Sequence, residues 1–439
     1  MAKVLYNEPS PLETKIISQR FAMEGSETLD VYLATKGYEA FHKAKGMTPE
    51  AIIEEVKASA LRGRGGAGFP TGLKWSFVPR THPKPRVIVV NADESEPGTC
   101  KDRLLMEYDP HQLIEGILIA GLAVDAHVGY IYIRGEYRYL IESMDRALEE
   151  AYARGYLGDN VAGTGFKFDL YTHTGAGAYE CGEETALLDS LEGKRGIPRM
   201  KPPFPAVAGA WAQPTLLNNV ETYCSVPAIL RDGGAAYAAL GTPKNGGTRL
   251  LCISGHVNKP GVYEVPLGYP MMKAINEIAG GVRGGKKLKA VVPGGSSCPI
   301  LKAEECDVAM DYDTIAKIGS MMGSGGMVVL DEDTDMVGFA LRIMRFYAHE
   351  SCGWCIPCRE GTTWLRKMLQ RYYDGHGRKE DIDIIGEVSK NMLGRTFCAL
   401  GDAAAMPTIA IIEKFRNEFE DYLAKGPRPA VPQFELAHQ

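Results

Sequence analysis

The 439-residue sequence has no apolar run long enough to cross a bilayer. Its most apolar window, Ile114 to Ile133, is broken by Glu115, Asp125, His127 and several glycines, whereas a spanning helix needs about twenty consecutive apolar residues. Direct membrane insertion is therefore not expected. A basic excess is also missing: 49 Lys and Arg stand against 55 Asp and Glu, a net charge of −6. That balance weighs against nucleic acid as a partner, because a phosphate backbone selects basic surfaces. The opening stretch, MAKVLYNEPSPLETK, has no apolar core of the secretory kind, so no export signal is expected there. Cysteine is scarce, ten in the chain, which excludes a disulfide framework; four of the ten fall in a pattern that suits a reducing compartment, where thiolates serve metals. No internal repeat is visible. What is present, 45% hydrophobic and 24% charged residues, is the mix of a globular protein with about two to four domains.

Four segments differ in character. Residues 1–60 read as helical and connective. Within them Thr48-Pro49-Glu50 opens a run whose Ile52, Ile53, Val56 and Leu61 recur at helical spacing, with proline in the first turn. Across 61–245, β-branched runs (Val87 to Val90, VGYIYIR, FDLYTHT) alternate with helical stretches at about 110–124, 137–154 and 182–192. That alternation predicts an α/β layer with an at least partly parallel sheet. In 246–333 the segments LLCISG, GVYEVPLG, MMKAINEIAGG and KAVVPGG give a β-β-α-β order and a small α+β domain. Residues 334–439 read as helical to about 424 with a loop around the cysteines, then a Pro-rich, loose tail.

The cysteine pattern lies in ESCGWCIPCREG. Cys352, Cys355 and Cys358 stand two residues apart from one another, and Cys398 follows far downstream in GRTFCALGD. A four-iron, four-sulfur cube takes four thiolates, one per iron; three close ligands wrap one side and a remote fourth closes it. Pro357 is read as holding this loop away from helix. Structural zinc is the rival, although it usually takes two pairs of ligands rather than three and one; buried packing thiols leave the strict interval unexplained. Cys100, Cys181, Cys224, Cys252, Cys298 and Cys306 show no such spacing and read as core or surface thiols, Cys181 falling close in sequence to the glycine loop that follows FDLYTHT.

Three further segments carry ligand chemistry. RGRGGAGFPTGLKW contains Gly63, Gly65 and Gly68 in G-x-G-x-x-G order, yet it follows a helix and runs into Pro70, so it is not a dinucleotide fingerprint, which follows a strand. Its glycines suit a loop on which a cofactor lies against bare backbone, or else a plain flexible loop. Lys74 offers a positive charge to a phosphate or a flavin carbonyl, or is simply exposed. After the strand VIVV, Asn91, Asp93, Glu94, Ser95 and Glu96 occupy a strand's C-terminal end, the usual ligand position in open α/β sheets. Clustered acids suit hydroxyl-rich ribityl or ribose groups and repel bare phosphate; the alternative is a solvated turn. GAGAYECGEETALLDS enters a helix near Glu183, whose free N–H groups can hold a phosphate, while Glu183 and Glu184 also fit as plain helix-start acids.

Together these strings, with KPPFPA and NNVET, resemble the NADH- and FMN-binding flavoprotein subunit of respiratory complex I, the NADH:quinone oxidoreductase, from about Thr28 to about Tyr422. The resemblance implies a Rossmann-like α/β flavin and NADH domain (61–245), a ubiquitin-like β-grasp domain (246–333) and a C-terminal helical bundle (334–439) carrying a [4Fe–4S] cluster on Cys352, Cys355, Cys358 and Cys398. It places FMN among Gly63, Arg64, Gly65, Gly66, Lys74, Asn91, Asp93, Glu94, Ser95, Tyr179, Gly182, Glu183, Asn218, Asn219 and Thr222. NADH would stack over the flavin by Gly66 and Ala67, with Phe69, Phe77 and Phe204 about its adenine end and Glu96, Glu184 and Lys201 making polar contacts. The chemistry implied is NADH dehydrogenation: hydride transfer to FMN, then single electrons to the cluster and onward to quinone in the translocase, with no amino-acid side chain as the reacting group. The partners implied are a small thioredoxin-like [2Fe–2S] subunit and a large multi-cluster iron–sulfur subunit. The implied location is cytoplasmic, peripheral on the inner face of a bacterial plasma membrane, or the matrix side in mitochondria. The family usually has an apolar residue after the tyrosine of GAGAYECG, where Glu180 stands here, and Asp189 is also unusual. An ionised Glu180 beside the flavin would make its reduction harder; pointing into solvent, it would do nothing. Two other readings remain: a diaphorase subunit of an NAD-linked hydrogenase or formate dehydrogenase, against which the lack of added thioredoxin-like or ferredoxin-like modules counts, and a zinc-stabilised nucleotide-binding scaffold.

Overall fold

The computed structural model describes residues 9–426 and divides into two compact units, Met1–Glu332 and Asp333–Gln439. Most of the Pro-rich tail lies outside the described residues. Among the described residues no helix is long and apolar enough to cross a membrane.

Among the described residues the first unit holds two sheets. In one, β1 (Arg86–Ala92), β2 (Ala126–Ile133), β3 (Asp169–Thr174) and β4 (Thr215–Asn219) run in the order β3-β2-β1-β4, every pair parallel. Its central strand is apolar on both sides because both sides are covered. Ile88, Val90 and Ala92 join a core with Leu113, Ile117 and Ile119 of the helix Pro110–Val124, while Val87 and Val89 face Leu187, Leu188 and Leu191 of the helix Glu184–Leu191. The three β-branched runs and three long helices expected here are all present within a few residues of their sequence bounds. Several elements were not foreseen, among them β4, the helix Lys101–Tyr108 and the buried helix Val220–Asp232. β4, TLLNN, is short and ends in two asparagines, so it shows too few apolar residues to register as a strand. The helix Lys101–Tyr108 opens with KDR yet is buried, Lys101 at 1% exposure, because the lysine finds carboxylates inside.

The second sheet comprises β5 (Thr248–Gly255), β6 (Gly261–Pro266), β7 (Leu288–Val292), β8 (Leu301–Lys302) and β9 (Gly326–Asp331), in the order β6-β5-β9-β7-β8. β5 and β9 are parallel and the other pairs antiparallel. This is a β-grasp sheet. The expected β-β-α-β order holds for its first part, the helix Met271–Lys273 continuing as a π turn through Ile278. The two-residue β8 and the central β9 add to it. The loop after β1 lies on this sheet: a Cβ on Gly326 would stand 2.7 Å from the Gly98 backbone, so the two chains approach at a distance only glycine permits.

Among the described residues the second unit is a bundle of four helices, Met336–Glu350, Ile356–Tyr373, Lys379–Met392 and Ala399–Lys425. Val337, Leu341 and Met344, then Leu365 and Leu369, then Ile382 and Ile385 recur at helical spacing and are buried. Asp335 caps the first helix by accepting the N–H groups of Val337 and Gly338, both at 3.1 Å.

Candidate functional site

The parallel sheet has a switch point. From β1 the chain moves outward through β2 to β3, then returns to lay β4 on the opposite side of β1. The crossover connections on either side of β1 diverge there and leave a crevice beyond the strands' C-terminal ends, where α/β sheets bind ligands. Asn91 and Ala92 end one strand and Asn218 and Asn219 the other, Asn91 being paired with Asn219 in register.

The loop after β1 is not the solvated acidic turn its composition allowed. Asp93 is 8% exposed and Glu94 5%. Asn91 donates to the Gly182 carbonyl at 2.9 Å and accepts the Asp93 N–H at 3.1 Å, while Ser95 Oγ donates to Asp93 at 3.2 Å. This sews the loop to the one after β3. Glu96 accepts the Tyr179 hydroxyl at 2.7 Å and the Ser297 N–H at 2.8 Å, so a glycine-serine loop of the second sheet also reaches the crevice. That loop follows KAVV as PGGSS and was not singled out in the sequence.

The glycine loop closes on itself. Gly63 N–H donates to Phe69 O at 2.8 Å, and Arg62 Nε to Gly68 O at 2.6 Å. It leans on the end of β4, a Cβ on Gly65 meeting Asn219 Cβ at 3.1 Å. At Gly66, φ is +142° and a Cβ would have nothing within 4 Å, so bare backbone faces open space. Lys74, in the short helix Thr71–Ser76, is not a free surface lysine: it reaches Glu184 at 3.2 Å. Lys201 bridges Glu183 at 2.8 Å and Glu184 at 3.1 Å. Burial works against ionisation of Glu184, but the Lys74 and Lys201 ammoniums hold its carboxyl below the usual range. Glu183 caps its helix, accepting Thr185 and Ala186 N–H at 2.8 and 2.9 Å. Phe69 and Phe77 show exposed rings with centroids 6.1 Å apart, and Phe204 is 56% exposed.

Four side chains named from the resemblance are engaged inside the protein. Arg64 is fully buried and donates to the carbonyls of Gly246 and Thr248, both at 2.9 Å; only its backbone belongs to the loop. Thr222 Oγ1 accepts Arg64 N–H at 2.9 Å. The Glu94 carboxylate turns inward to accept the N–H groups of Asp102 and Arg103 at 2.8 and 3.1 Å. Burial, then the neighbouring Asp102 carboxylate, push Glu94 up to about 8. Asn219 spends its amide on Asp102, at 2.6 Å, and its oxygen on Glu221 N–H. Asn218 is the contrary case: among the described residues its Nδ2 is buried with no partner, at the crevice end of β4. A buried amide donor is costly unless something accepts from it. The crevice therefore fits a flat, oxygen-rich cofactor: open glycine backbone on one side, a donor waiting at the strand end, and hydroxyl-accepting carboxylates between them.

Glu180 does not point into solvent; it is 4% exposed in the single 3₁₀ turn Tyr179–Gly182. Cys181 beside it is buried against Leu187 and Leu188.

In the second unit, Cys352 lies in the loop before the helix Ile356–Tyr373, Cys355 is its N-cap and Cys358 stands in its first turn. Cys398 is the N-cap of Ala399–Lys425. The rings of Trp354 and Phe397 meet edge-on at 6.4 Å, which brings the two cysteine-bearing loops side by side. Pro357 falls in the first helical turn, where a missing N–H costs nothing; it starts the helix rather than keeping the loop out of one. Two helix starts thus carry members of the thiol set. Among the described residues no three His, Cys, Asp or Glu side chains gather closely enough to hold a single metal ion. A cube distributes its ligands one per iron around its corners, and the donor set of four thiols from two helix starts fits it.

Fold and sites define a class: an α/β protein with a crevice at a sheet switch point suited to a flat, oxygen-rich cofactor and a four-thiol set in a separate helical unit. Family models for the Nuo51 FMN-binding domain, the SLBB domain and the NADH-ubiquinone oxidoreductase-F iron–sulfur binding region match residues 56–228, 249–336 and 338–422. An NADH-quinone oxidoreductase subunit of Rhizobium meliloti (strain 1021) is 53% identical over 392 residues, 89% of this chain and 93% of its own. NADH dehydrogenase [ubiquinone] flavoprotein 1, mitochondrial, of Dictyostelium discoideum is 52% identical over 417 residues, 93% of this chain and 85% of its own. A crystal structure of an NAD+-reducing [NiFe]-hydrogenase in the H2-reduced state superposes with a TM-score of 0.83 at 34% identity, covering 98% of this chain and 69% of that one. The chain belongs to the family of flavoprotein subunits of complex I, the NADH-quinone oxidoreductase. Its cofactors are FMN and a [4Fe–4S] cluster, and as a complex I subunit it works with partner subunits.

Proposed function

We propose that this chain is the NADH-oxidising subunit of a quinone-reducing complex I, with FMN in the β1–β4 crevice and the cluster on Cys352, Cys355, Cys358 and Cys398. The observation that carries the reading is the presence in one chain of a switch-point crevice with an unpartnered Asn218 donor and a four-thiol set at two helix starts. FMN, when bound, supplies the conversion of a two-electron hydride into single electrons, which a cluster needs.

The protein's own residues bind, orient and exclude water. The backbone of Gly63, Arg64, Gly65 and Gly66 gives the cofactor a surface without side chains. Asn91, Asp93, Ser95 and Asn218 face hydroxyl and carbonyl groups from the strand ends, while Glu94, Asn219 and Thr222 act by holding that backbone in place. Lys74, Glu183, Glu184 and Lys201 form an alternating charge chain at the mouth beside Tyr179 and Gly182. Such half-exposed pairs add little stability, so their contribution is to position charge. Ala67, Phe69, Phe77 and Phe204 offer the exposed apolar edge on which the adenine of NADH rests, with Glu96 held for its ribose by Tyr179 and Ser297. The domain bounds that accompany this reading are 61–245 for flavin and NADH, 246–333 for the β-grasp and 334–439 for the cluster, after a connective 1–60.

Electrons leave through a partner. The exposed Trp354 (58%), Ile356 (65%) and Phe397 flank the cysteines and suit a dry contact with the multi-cluster subunit, while the thioredoxin-like [2Fe–2S] subunit is the second partner. The assembly belongs on the inner face of a bacterial plasma membrane or the mitochondrial matrix side. A hydrogenase-type diaphorase is the lesser reading, because the complex I relatives are 53% and 52% identical and the hydrogenase chain 34%. The test is to purify the chain with its [2Fe–2S] partner, measure FMN, iron and zinc per chain, and assay NADH–ferricyanide reduction. Stoichiometric flavin, about four irons and NADH-dependent activity are expected; stoichiometric zinc without flavin would overturn the reading.

A further inference from the structure

Two cysteines far apart in sequence meet where the loop after β1 lies on the second sheet. Cys100 is half-buried and immediately precedes the helix Lys101–Tyr108. Its N–H donates to the Cys252 sulfur at 3.2 Å, across 152 residues of sequence. Cys252 sits within β5 at 2% exposure, between Val262 of β6 and Gly326 of β9. The surrounding loop is already fixed: Thr99 Oγ1 hydrogen-bonds Ser324 Oγ and Gly98 abuts Gly326. We propose that Cys100 and Cys252 are a peroxide-responsive dithiol that closes to a disulfide, stapling the acidic crevice loop to the β-grasp sheet.

The pair is chemically asymmetric. Hydrogen bonding from Cys252, opposed by burial and aided by the Arg103 and Lys101 cations, draws the Cys100 thiol down to about 7. Cys252 is pushed well up by its bond to Cys100 and by burial. Thiolate character and partial exposure make Cys100 the attacking sulfur, and Cys252 the resolving one. With hydrogen peroxide as oxidant, the Cys100 thiolate attacks one oxygen; an S–O bond forms, the O–O bond breaks, and the other oxygen leaves as hydroxide, taking up a proton to become water. Cys100 is then a sulfenic acid. The Cys252 sulfur attacks it, the S–S bond forms, the S–O bond breaks, and the oxygen departs with the thiol proton as a second water. Two thiols are oxidised and one peroxide is reduced.

The consequence reaches the crevice through the helix that Cys100 precedes. The N–H groups of Asp102 and Arg103 hold Glu94, and Lys101 binds Asp102, Glu221 and Asn219. The proposal does not depend on which cofactor occupies the crevice, so its test is read on the thiols.

The holoenzyme, reduced and desalted without oxygen, is treated with a few equivalents of hydrogen peroxide, quenched with N-ethylmaleimide, digested without reductant and mapped by mass spectrometry. The expected result is one crosslinked peptide joining Cys100 to Cys252, two hydrogens lighter than the sum of its parts and lost on treatment with dithiothreitol. In Cys252→Ser, Cys100 should stop at a sulfenic acid that dimedone traps, and Cys100→Ser should give neither product. Cys100 and Cys252 both recovered as maleimide adducts after peroxide would overturn the proposal, as would a Cys100 crosslink to another cysteine. The wild-type map decides the matter even if a variant fails to fold.

Discussion

Glu180 occupies a 3₁₀ turn that begins with Tyr179, whose hydroxyl is spent on Glu96. Its 4% exposure leaves its carboxyl within low-dielectric surroundings, where a charge acts over a longer range than at the surface. Beside a flavin gaining negative charge, an ionised Glu180 makes reduction harder. Glu180→Ile should therefore raise the flavin midpoint potential, on the order of tens of millivolts for a screened single charge. A spectroelectrochemical titration of both proteins measures this, and equal potentials would refute it. At this scale the sequence identified which residue departs from its family but not where it faces. The burial of Glu180 depends on what the fold packs over it, which no sequence pattern displays. The same limit hid the contact between Cys100 and Cys252, since spacing patterns detect only ligands close in sequence.

Among the elements, the helix Glu184–Leu191 depends on its cap. Glu183 accepts two backbone N–H groups through Oε2 and presents Oε1 to Lys201. Glu183→Ala removes both and leaves the helix start without a side-chain acceptor, at a cost of about 1–2 kcal/mol. The urea midpoint should fall with its slope unchanged; an unaltered midpoint would show that water replaces the cap at no cost. This helix was legible because GEETALLDS carries both a capping acid and a helical apolar pattern. β4 was not legible. TLLNN is five residues long, and its strand character comes from parallel pairing with Val87 to Asn91 rather than from its own composition. The asparagines that weaken it as a strand are the residues that line and brace the crevice. β9 escaped for a related reason: GMVVLD lies beyond a glycine-rich stretch, and only its seat between β5 and β7 makes it central.

For the whole molecule, the proposed flavin and NADH residues all lie within Met1–Glu332 and the four cysteines proposed for the cluster within Asp333–Gln439. Each unit is compact in its own right, so damage to one centre should leave the other's protein framework intact. Cys398→Ser should abolish the cluster's iron and its visible absorbance while the purified protein keeps its FMN. Parallel measurement of iron and flavin per chain checks this, and loss of both would show that the units stand or fall together. The tripartite order of the chain was readable because each segment has its own periodicity. The cysteine set proposed for the cluster stood out most in the sequence, since three of its members share a single loop and helix start.

The return of β4 to the far side of β1 has a bearing on biogenesis. No cradle exists until Thr215–Asn219 has docked beside Arg86–Ala92, and a chain emerges from the ribosome N-terminus first. The glycine loop and the acidic loop must wait, already translated, for a strand made much later. With FMN in the crevice as proposed, cofactor capture waits for this strand, and a nascent chain arrested before Thr215 should have no affinity for flavin.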